Sequence, residues 1–409
     1  MINITEKTNC CGCSACASIC PKNCIRMKED KEGFLYPNVD KDICVNCSLC
    51  KKVCPIINNI EEKFFKQKGY LVQIKDEKIR LESTAGGAFS AIAQYVLKKN
   101  GVVFGVQYDK DFNVIHTYIE NEKDLYLYRN SKYVQSKIGN TFKQAKQFLQ
   151  QNRLVCFSGT PCQIEGLKKY LQREYENLIT IDIVCHAVPS PLVWHKYIQL
   201  KKNKYGNKIT NILFRDKKYF GYKYSQMTLK DINNVDLEYN GVESDYMLRA
   251  FFSDICDRPS CYKCKFKKRY RVSDFTIWDC FITGLLAKEL DDDKGTTRVL
   301  IHSAKGNDIF DIIKSDFRYK NICVDLLIKD VYEMFYSVKY NNNRIKFMHD
   351  INLLNEKDLF EKYFKETSKI KAQKFVRRLL NYMQIYSLVK TIKYLFKTHI
   401  YRYFNIKSK

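Results

Sequence analysis

The chain has 409 residues, which is enough for two or three domains. Its hydrophobic content of 45% and its aromatic content of 14% are those of a protein with a buried core, which excludes an intrinsically disordered chain. No stretch approaches the roughly 18 consecutive apolar residues of a membrane span, and the first residues lack the basic and apolar regions of a signal peptide. We therefore expect a cytoplasmic protein of an anaerobe, in which the 18 cysteines indicate metal ligands rather than disulfides.

Eight cysteines among the first 54 residues repeat one pattern, C-x2-C-x2-C-x3-C-P, twice. This pattern wraps a 4Fe–4S cluster, and in two-cluster ferredoxins its last cysteine binds the other cluster. The spacing therefore predicts a two-cluster ferredoxin-like module of the βαβ type over residues 1–60. The expected first set of ligands is Cys10, Cys13, Cys16 and Cys54, and the expected second set is Cys44, Cys47, Cys50 and Cys20.

A pair of zinc knuckles is the alternative, because C-x2-C pairs also suit tetrahedral zinc. Zinc requires neither the third cysteine of each run nor the following Cys-Pro, and both occur twice. The pattern therefore favours clusters. The thiols that we do not expect to be ligands are Cys11, Cys24, Cys156, Cys280 and Cys323, of which Cys11 and Cys24 lie closest to the first run.

Strand and helix patterns alternate from about residue 69, which predicts a mixed α/β domain over residues 65–345, with an N-terminal part at 69–165 and a C-terminal part at 166–345. Apolar spacing or short apolar runs predict helices at 88–99, 142–149 and 162–171, and strands at 102–106, 114–119, 154–157 and 179–184.

Four segments of this domain carry residues that could bind a ligand or a metal. Gly86-Gly87 at a predicted helix start leaves backbone amides bare for an anion. Cys162 follows a strand-to-helix turn, a position that favours the thiolate. Cys185-His186 ends the next strand, and Cys261 and Cys264 form a C-x2-C pair. A buried structural thiol is the alternative for each cysteine, but four that converge predict a third metal site.

The C-terminal segment, residues 346–409, is predicted to be a helical basic tail. From Thr367 onward it has eleven Lys and Arg and no Asp or Glu, out of a net charge of +25. A helix packed on the body with a solvated lysine face is one interpretation, and peripheral contact with the inner membrane face is the other. No nucleic-acid motif accompanies the charge, so we expect no nucleic-acid partner.

The ordered motifs together resemble one family. They are the two ferredoxin runs, Ser83-Thr84-Ala85-Gly86-Gly87, Ser131-Lys132-Tyr133-Val134-Gln135-Ser136, Gly159-Thr160-Pro161-Cys162-Gln163, Asp182-Ile183-Val184-Cys185-His186 and Arg258-Pro259-Ser260-Cys261 with Cys264. Over residues 5–340 the chain resembles the coenzyme F420 hydrogenase/dehydrogenase beta-subunit family in its ferredoxin-fused bacterial form.

The resemblance implies an oxidoreductase that passes electrons from a ferredoxin or another low-potential donor, through 4Fe–4S clusters and FAD, to an unknown small-molecule hydride acceptor. Such bacterial relatives are often linked to surface-polysaccharide synthesis. His186 is then a candidate proton donor, and Lys132 could favour reduced flavin. The implied third cluster set is Cys162, Cys185, Cys261 and Cys264, with Cys256 as a substitute, and the implied flavin residues are Ser83, Thr84, Gly86, Gly87, Lys132, Tyr133, Gln135 and Ser136.

The chain also departs from the family pattern. It has no G-x-G-x-x-G fingerprint, Ala187 replaces a glycine, and Trp278 stands where the family has a small residue. We expect the altered segment 278–282 to crowd or reshape the flavin pocket. Two other functions remain open: an electron-transfer subunit that serves a catalytic partner, and a binding module for a glycan precursor.

Overall fold

The computed structural model describes residues 1–386, 388–390 and 392. Thirteen strands lie among them, namely β1 (Ile25–Glu29), β2 (Leu35–Val39), β3 (Lys68–Ile74), β4 (Val102–Tyr108), β5 (Val114–Ile119), β6 (Val155–Gly159), β7 (Leu178–Ile183), β8 (Asn211–Leu213), β9 (Gln226–Lys230), β10 (Asp236–Gly241), β11 (Phe275–Asp279), β12 (Thr297–Ile301) and β13 (Phe317–Asn321).

The α-helices of the same residues surround these strands. They are α1 (Ala15–Ile19), α2 (Leu49–Lys52), α3 (Glu77–Glu82), α4 (Ala88–Leu97), α5 (Thr141–Gln150), α6 (Pro161–Leu171), α7 (Pro191–Tyr205), α8 (Tyr246–Phe252), α9 (Thr283–Leu286), α10 (Ala304–Ile313), α11 (Val324–Ile328), α12 (Tyr332–Phe335), α13 (Arg344–Asp350), α14 (Glu356–Phe364) and α15 (Ser368–Tyr382).

The central sheet has eight strands in the order β13-β3-β12-β11-β7-β6-β4-β5. Its middle strands β11, β7, β6 and β4 are parallel, and the flanking strands pair antiparallel. The prediction of a mixed α/β domain is therefore confirmed. Because the carboxyl ends of parallel strands meet at one edge of a sheet, the turns after β6, β7 and β11 lie side by side, where α/β proteins bind ligands.

Helices cover both faces of this sheet. Helices α4 and α10 pack on one face, around Ile92, Val96 and Phe310. Helices α5 and α6 pack on the other face, and α1 of the N-terminal module lies against them. Cys13 and Cys16 share one apolar core with residues of β4, β6 and α6. The N-terminal module is thus packed onto the sheet domain, although its predicted boundary near residue 60 stays a prediction.

The order of elements in the N-terminal module differs from the βαβ order that we expected. The observed order is α1-β1-β2-α2, and β1 and β2 are antiparallel. The physical reason is the link between the strands, which comprises only residues 30–34. A parallel pair requires a crossover of a dozen or more residues, whereas so short a link joins antiparallel strands.

Helix α15 has no buried residue. Two of its basic side chains contact the body, since Arg377 pairs with Glu243 and Arg378 donates to the Tyr239 carbonyl. Its apolar side chains face outward, with Phe375 66% and Tyr382 86% exposed. The longer helical tail stays a prediction, because residues 387, 391 and 393–409 lie outside the described residues. Within the described part of the chain, no helix has the length and apolarity that a bilayer crossing requires.

Candidate functional site

Each of the two N-terminal cysteine sets lines a cavity of its own. Cys10, Cys13, Cys16 and Cys54 border one cavity, and Cys20, Cys44, Cys47 and Cys50 border the other. The crossed arrangement of the two last cysteines is therefore present in the geometry. Short helices α1 and α2 bring it about, because each follows a residue in the left-handed conformation, Ser14 or Ser48.

The second set lies nearer to solvent than the first. Cys47 is exposed, whereas three members of the first set are buried. The Ile2 amide donates to Cys50 Sγ at 3.2 Å, a contact of the kind that tunes cluster potentials. Cys24 lies beside the second set, with its Sγ 3.2 Å from Cys20 Sγ, and not beside the first set, where its place in the sequence suggested.

A third cavity brings together cysteines that are far apart in the sequence. Cys162 at the start of α6, Cys185 after β7, and Cys261 and Cys264 in the 3₁₀ turn Pro259–Lys263 and its end all border it. Cys256 does not: it is 0% exposed and directs its thiol to the Ala250 carbonyl. The structure thus assembles the four residues of the implied third set and leaves the substitute elsewhere.

Burial governs the chemistry of this third set. It raises the pKa of Cys185 to about 12, so without a metal the thiol would stay protonated at neutral pH. Lys267 Nζ donates to the backbone carbonyls of Cys185 and His186 and fixes their turn. Thr160 Oγ1 lies 3.1 Å from Cys162 Sγ. Four thiols around one enclosed space, with N–H and O–H groups nearby, fit a cubane cluster.

An open cleft of about 310 Å³ lies next to the third cavity, at the carboxyl ends of β6, β7 and β11. Six of the implied flavin residues border it, namely Ser83, Thr84, Gly87, Lys132, Tyr133 and Ser136. Gly86 does not, because it is packed against the Val72 carbonyl and donates its amide to Thr297 Oγ1 at 2.7 Å. Gln135 does not border the cleft either, and it reaches the N-terminal module instead.

The N-terminus of α4 provides a site for an anion in the cleft. Gly87 precedes the helix with φ of 87° and makes no side-chain cap. The first N–H groups of a helix have no acceptor within it, and the residues that carry them in α4, Ala88, Phe89 and Ser90, border the cleft. Such a helix end suits a phosphate. The pyrophosphate of a dinucleotide such as FAD therefore fits the residues present.

Lys132 stands in the cleft wall, but its hydrogen bonds are committed to the backbone. The ammonium donates to the carbonyls of Leu127, Arg129 and Asn130 at 3.0–3.3 Å, which uses all three of its donors. Burial lowers the pKa of Lys132 to about 7. The side chain therefore holds the loop 127–130 in place and presents no free N–H to a ligand.

A hydrogen-bond chain fixes what Ser136 can offer in the cleft. His116 Nε2 lies 3.1 Å from the Ser158 carbonyl and must donate to it, so Nδ1 of the neutral ring accepts from Ser136 Oγ at 2.9 Å. Gln163 Nε2 donates to Ser136 Oγ at 3.0 Å. The hydroxyl proton of Ser136 is thus used in the bond to His116. Its remaining lone pair can accept only from an N–H or O–H of a ligand.

His186 lies away from the cleft. It borders the third cysteine cavity, and its Nε2 is 2.7 Å from Asp254 Oδ1. In this place it can orient Cys185 or exchange protons near the third set. The cleft wall does not include it, so the structure offers no support for His186 as a proton donor to a ligand there.

Two further residues of the cleft wall, Arg129 and Asp279, were not singled out as site residues from the sequence. Trp278 and Asp279 end β11 there, and Asp279 pairs with the buried Arg215 at 2.9 Å. Arg129 borders the cleft, pairs with Glu82 and leaves its Nε without a partner among the described residues. Trp278 does stand in the wall, as the departure from the family pattern suggested, but it leaves the cleft open. Asp279 and Arg215 are far apart in the sequence, so no local motif indicated that they would pair.

Comparisons with known proteins give two family matches. Residues 152–322 match the family described as the C terminus of the coenzyme F420 hydrogenase/dehydrogenase beta subunit, and residues 9–57 match a 4Fe–4S dicluster domain. No curated protein matches the sequence significantly. The structure of a xenon-derivatised F420-reducing NiFe hydrogenase complex from Methanosarcina barkeri is similar at 15% identity and a TM-score of 0.44, covering 72% of this chain and 94% of that chain. That likeness carries no functional conclusion. The match over residues 152–322, with the dicluster domain before it, supports the resemblance of the chain to the coenzyme F420 hydrogenase/dehydrogenase beta-subunit family.

Proposed function

We propose that the chain is an iron–sulfur flavoprotein oxidoreductase. It would accept single electrons from a ferredoxin-type donor at the second cysteine set and deliver electron pairs to a small hydride acceptor in the cleft. The observation that carries this proposal is the continuity of the cavities. Cys11 borders both the first and the third cysteine cavities, and Thr160 borders both the third cavity and the cleft.

Different residues along this path would serve electron entry, cluster binding and flavin binding. The exposed Cys47 offers an entry edge, and the half-buried third set, with three buried cysteines of the first set, lies farther from solvent. FAD, when bound, supplies the exchange between single electrons and hydride. In the cleft, the amides of α4 would bind its pyrophosphate, Ser136 would accept from an N–H or O–H, and Lys132 would keep the loop 127–130 in place. A link to polysaccharide synthesis stays a prediction from the resemblance.

Reduction kinetics test this path. Wild type and Cys162→Ser are reduced anaerobically with a ferredoxin, and flavin bleaching is followed by stopped flow. We expect bleaching to slow by at least about tenfold in Cys162→Ser, because the third cluster is lost or altered. Cys256→Ser is the matched control, since this cysteine lies outside the cavity. Equal bleaching rates in all three proteins would contradict the proposed path.

An electron-transfer subunit is the second candidate, and the family description as a beta subunit favours it. In that case the cleft would serve a catalytic partner chain instead of a free acceptor. Purification of the untagged protein from its own cells separates the two functions. A stoichiometric partner supports the subunit, and turnover of an acceptor by the isolated chain supports the enzyme.

We also propose peripheral contact of the tail with the inner membrane face. The support is the orientation of α15, in which Arg377 and Arg378 contact the body. Phe375, Leu379 and Tyr382 face outward. The sequence beyond it adds Lys393, Lys397, Arg402, Lys407 and Lys409 without one acidic residue. Apolar side chains beside cations suit an anionic lipid surface.

A further inference from the structure

Arg258 is a cation buried completely between the N-terminal module and the sheet domain. It is 0% exposed, and its guanidinium donates to three neutral acceptors. Nε donates to the Cys10 carbonyl at 2.8 Å, Nη1 to Gln135 Oε1 at 2.8 Å and Nη2 to the Leu35 carbonyl at 2.9 Å. The ring of Tyr36 covers one side, with its centroid 4.3 Å from Cζ.

No carboxylate pairs with Arg258 among the residues that the structure describes. Its chain neighbour Asp257 does not serve, because neither of its carboxyl oxygens has a hydrogen-bond partner there. Burying a charge without a counter-charge is costly, so the protein must supply negative charge from another source.

The position of Arg258 identifies that source. Nη2 lies 3.6 Å from Cys10 Sγ, a member of the first cysteine set. The same side chain borders the third cavity together with Cys162 and Cys261. The guanidinium therefore stands between two sets of thiols that would each surround an anionic cluster.

The surroundings are built to hold the guanidinium in this place. Gln135 accepts from Arg258 and donates its own Nε2 to the Cys11 carbonyl at 3.0 Å. Gly12 has φ of +72°, and a Cβ on it would lie 2.8 Å from Arg258 Nη1 and 2.7 Å from Gln135 Nε2. Only glycine leaves room for this approach, and only glycine adopts that conformation without cost.

We propose that Arg258 is the shared counter-charge of the first and third clusters. Reduction adds negative charge to a cluster, so a fixed cation nearby stabilises the reduced form and raises the potential. One cation beside both sets favours the passage of an electron between them. The inference rests on the cluster part of the proposed function and not on the flavin. It also gives Gln135 a role in the N-terminal module, away from the cleft.

The test is an EPR-monitored redox titration of the full-length protein, purified anaerobically with its clusters. Arg258→Met removes the charge at similar volume, and Arg258→Lys keeps it without the planar fork. Gln135→Glu leaves the guanidinium in place and sets a carboxylate against it. We expect Arg258→Met and Gln135→Glu to shift two of three cluster potentials to more negative values. Arg258→Lys should shift them less. The signal of the second set, identified through Cys47→Ser, should stay unchanged.

The outcomes are decisive either way. Full iron content with all three potentials unchanged in Arg258→Met and Gln135→Glu would overturn the inference. If Arg258→Met loses iron while Arg258→Lys keeps it, the result supports a positive charge that the clusters require. The cluster potentials are then measured in the Gln135→Glu protein. Failure of the flavin part of the proposed function would appear differently, as missing flavin, while the cluster signals would still report on Arg258. A missing third signal in the wild type would overturn the shared role of Arg258.

Discussion

Thr160 Oγ1 lies 3.1 Å from Cys162 Sγ and 3.1 Å from Gln163 Oε1, at the turn where β6 ends and α6 begins. The hydroxyl has one proton for these two acceptors. If Cys162 binds iron, it is a thiolate, and Thr160 is the donor of their contact. The Thr160 hydroxyl would then link a ligand of the third cluster to the wall of the cleft, which Thr160 borders.

Thr160→Val removes this donor with little change of volume. We expect the third cluster to become harder to reduce, because a hydrogen bond to a ligating sulfur stabilises the reduced state. Loss of the helix N-cap should also lower the free energy of unfolding by about 1 kcal/mol. Thr160→Ser keeps both contacts, so its cluster potential and its free energy of unfolding should match those of the wild type. Redox titration and thermal unfolding measure them, and a potential that is the same in Val and Ser variants would exclude the hydrogen bond as its cause.

Gly166→Ala tests how tightly α6 approaches the first cysteine set. Alanine in a helix interior normally stabilises it by about 1 kcal/mol over glycine. Here a Cβ would lie 2.8 Å from Cys13 Cβ and 2.9 Å from its Sγ, so we expect lower stability and reduced iron content. Lys169→Ala on the same helix, at a half-buried position, is the control. A Gly166→Ala protein with full iron and a higher melting temperature would contradict the close packing of module and domain.

His116 predicts a pH dependence of stability. Burial lowers its pKa to about 4 in the folded protein, whereas the unfolded value is about 6.5. Between these values the unfolded state binds more protons, so stability is lost as the pH falls from about 6.5 to about 4, by at most about 3 kcal/mol. His116→Gln should lose this part of the slope. Denaturant unfolding of both proteins across this range measures the difference, and parallel slopes would show that His116 is not buried neutral.

The outward apolar face of α15 predicts binding to anionic vesicles. Phe375→Ser combined with Leu379→Ser should reduce flotation with phosphatidylglycerol vesicles, since both side chains are exposed and apolar. Ile232→Ser combined with Leu353→Ser, two exposed apolar positions outside α15, is the matched control. Equal flotation of the two double variants, or none for wild type, would remove the membrane contact.

The cysteine sets were predictable because their information is local. A C-x2-C-x2-C-x3-C-P run places its thiols through one turn and a short helix, and α1 and α2 follow that spacing. The meeting of Cys162 with Cys185 was also within reach, because neighbouring parallel strands end at one edge. The C-x2-C spacing also singled out Cys261 and Cys264, but their distance along the chain hid which thiols they would meet.

The side to which a residue faces was harder to predict. Gln135 and Ser136 are neighbours on one extended segment, where successive side chains point to opposite sides. Ser136 borders the cleft and Gln135 reaches Cys11, a choice set by the path of the chain and not by residue type. His186 likewise follows Cys185, but its ring turns to Asp254.

The orientation of α15 has a similar cause. Amphipathic spacing defines two faces and does not say which one meets the body. Glu243 and the Tyr239 carbonyl lie on the body where α15 passes, and they attract Arg377 and Arg378. The apolar face is left outward as a result, which the local pattern alone does not predict.

The most direct test of the account is to quantify iron, acid-labile sulfide and flavin on one anaerobically purified sample. Three cysteine sets beside a flavin cleft predict about twelve irons and one FAD per chain. About eight irons and no flavin, even after reconstitution, would contradict the account. The third cavity and the cleft would then hold neither group, and the chain would be an electron carrier through its N-terminal module.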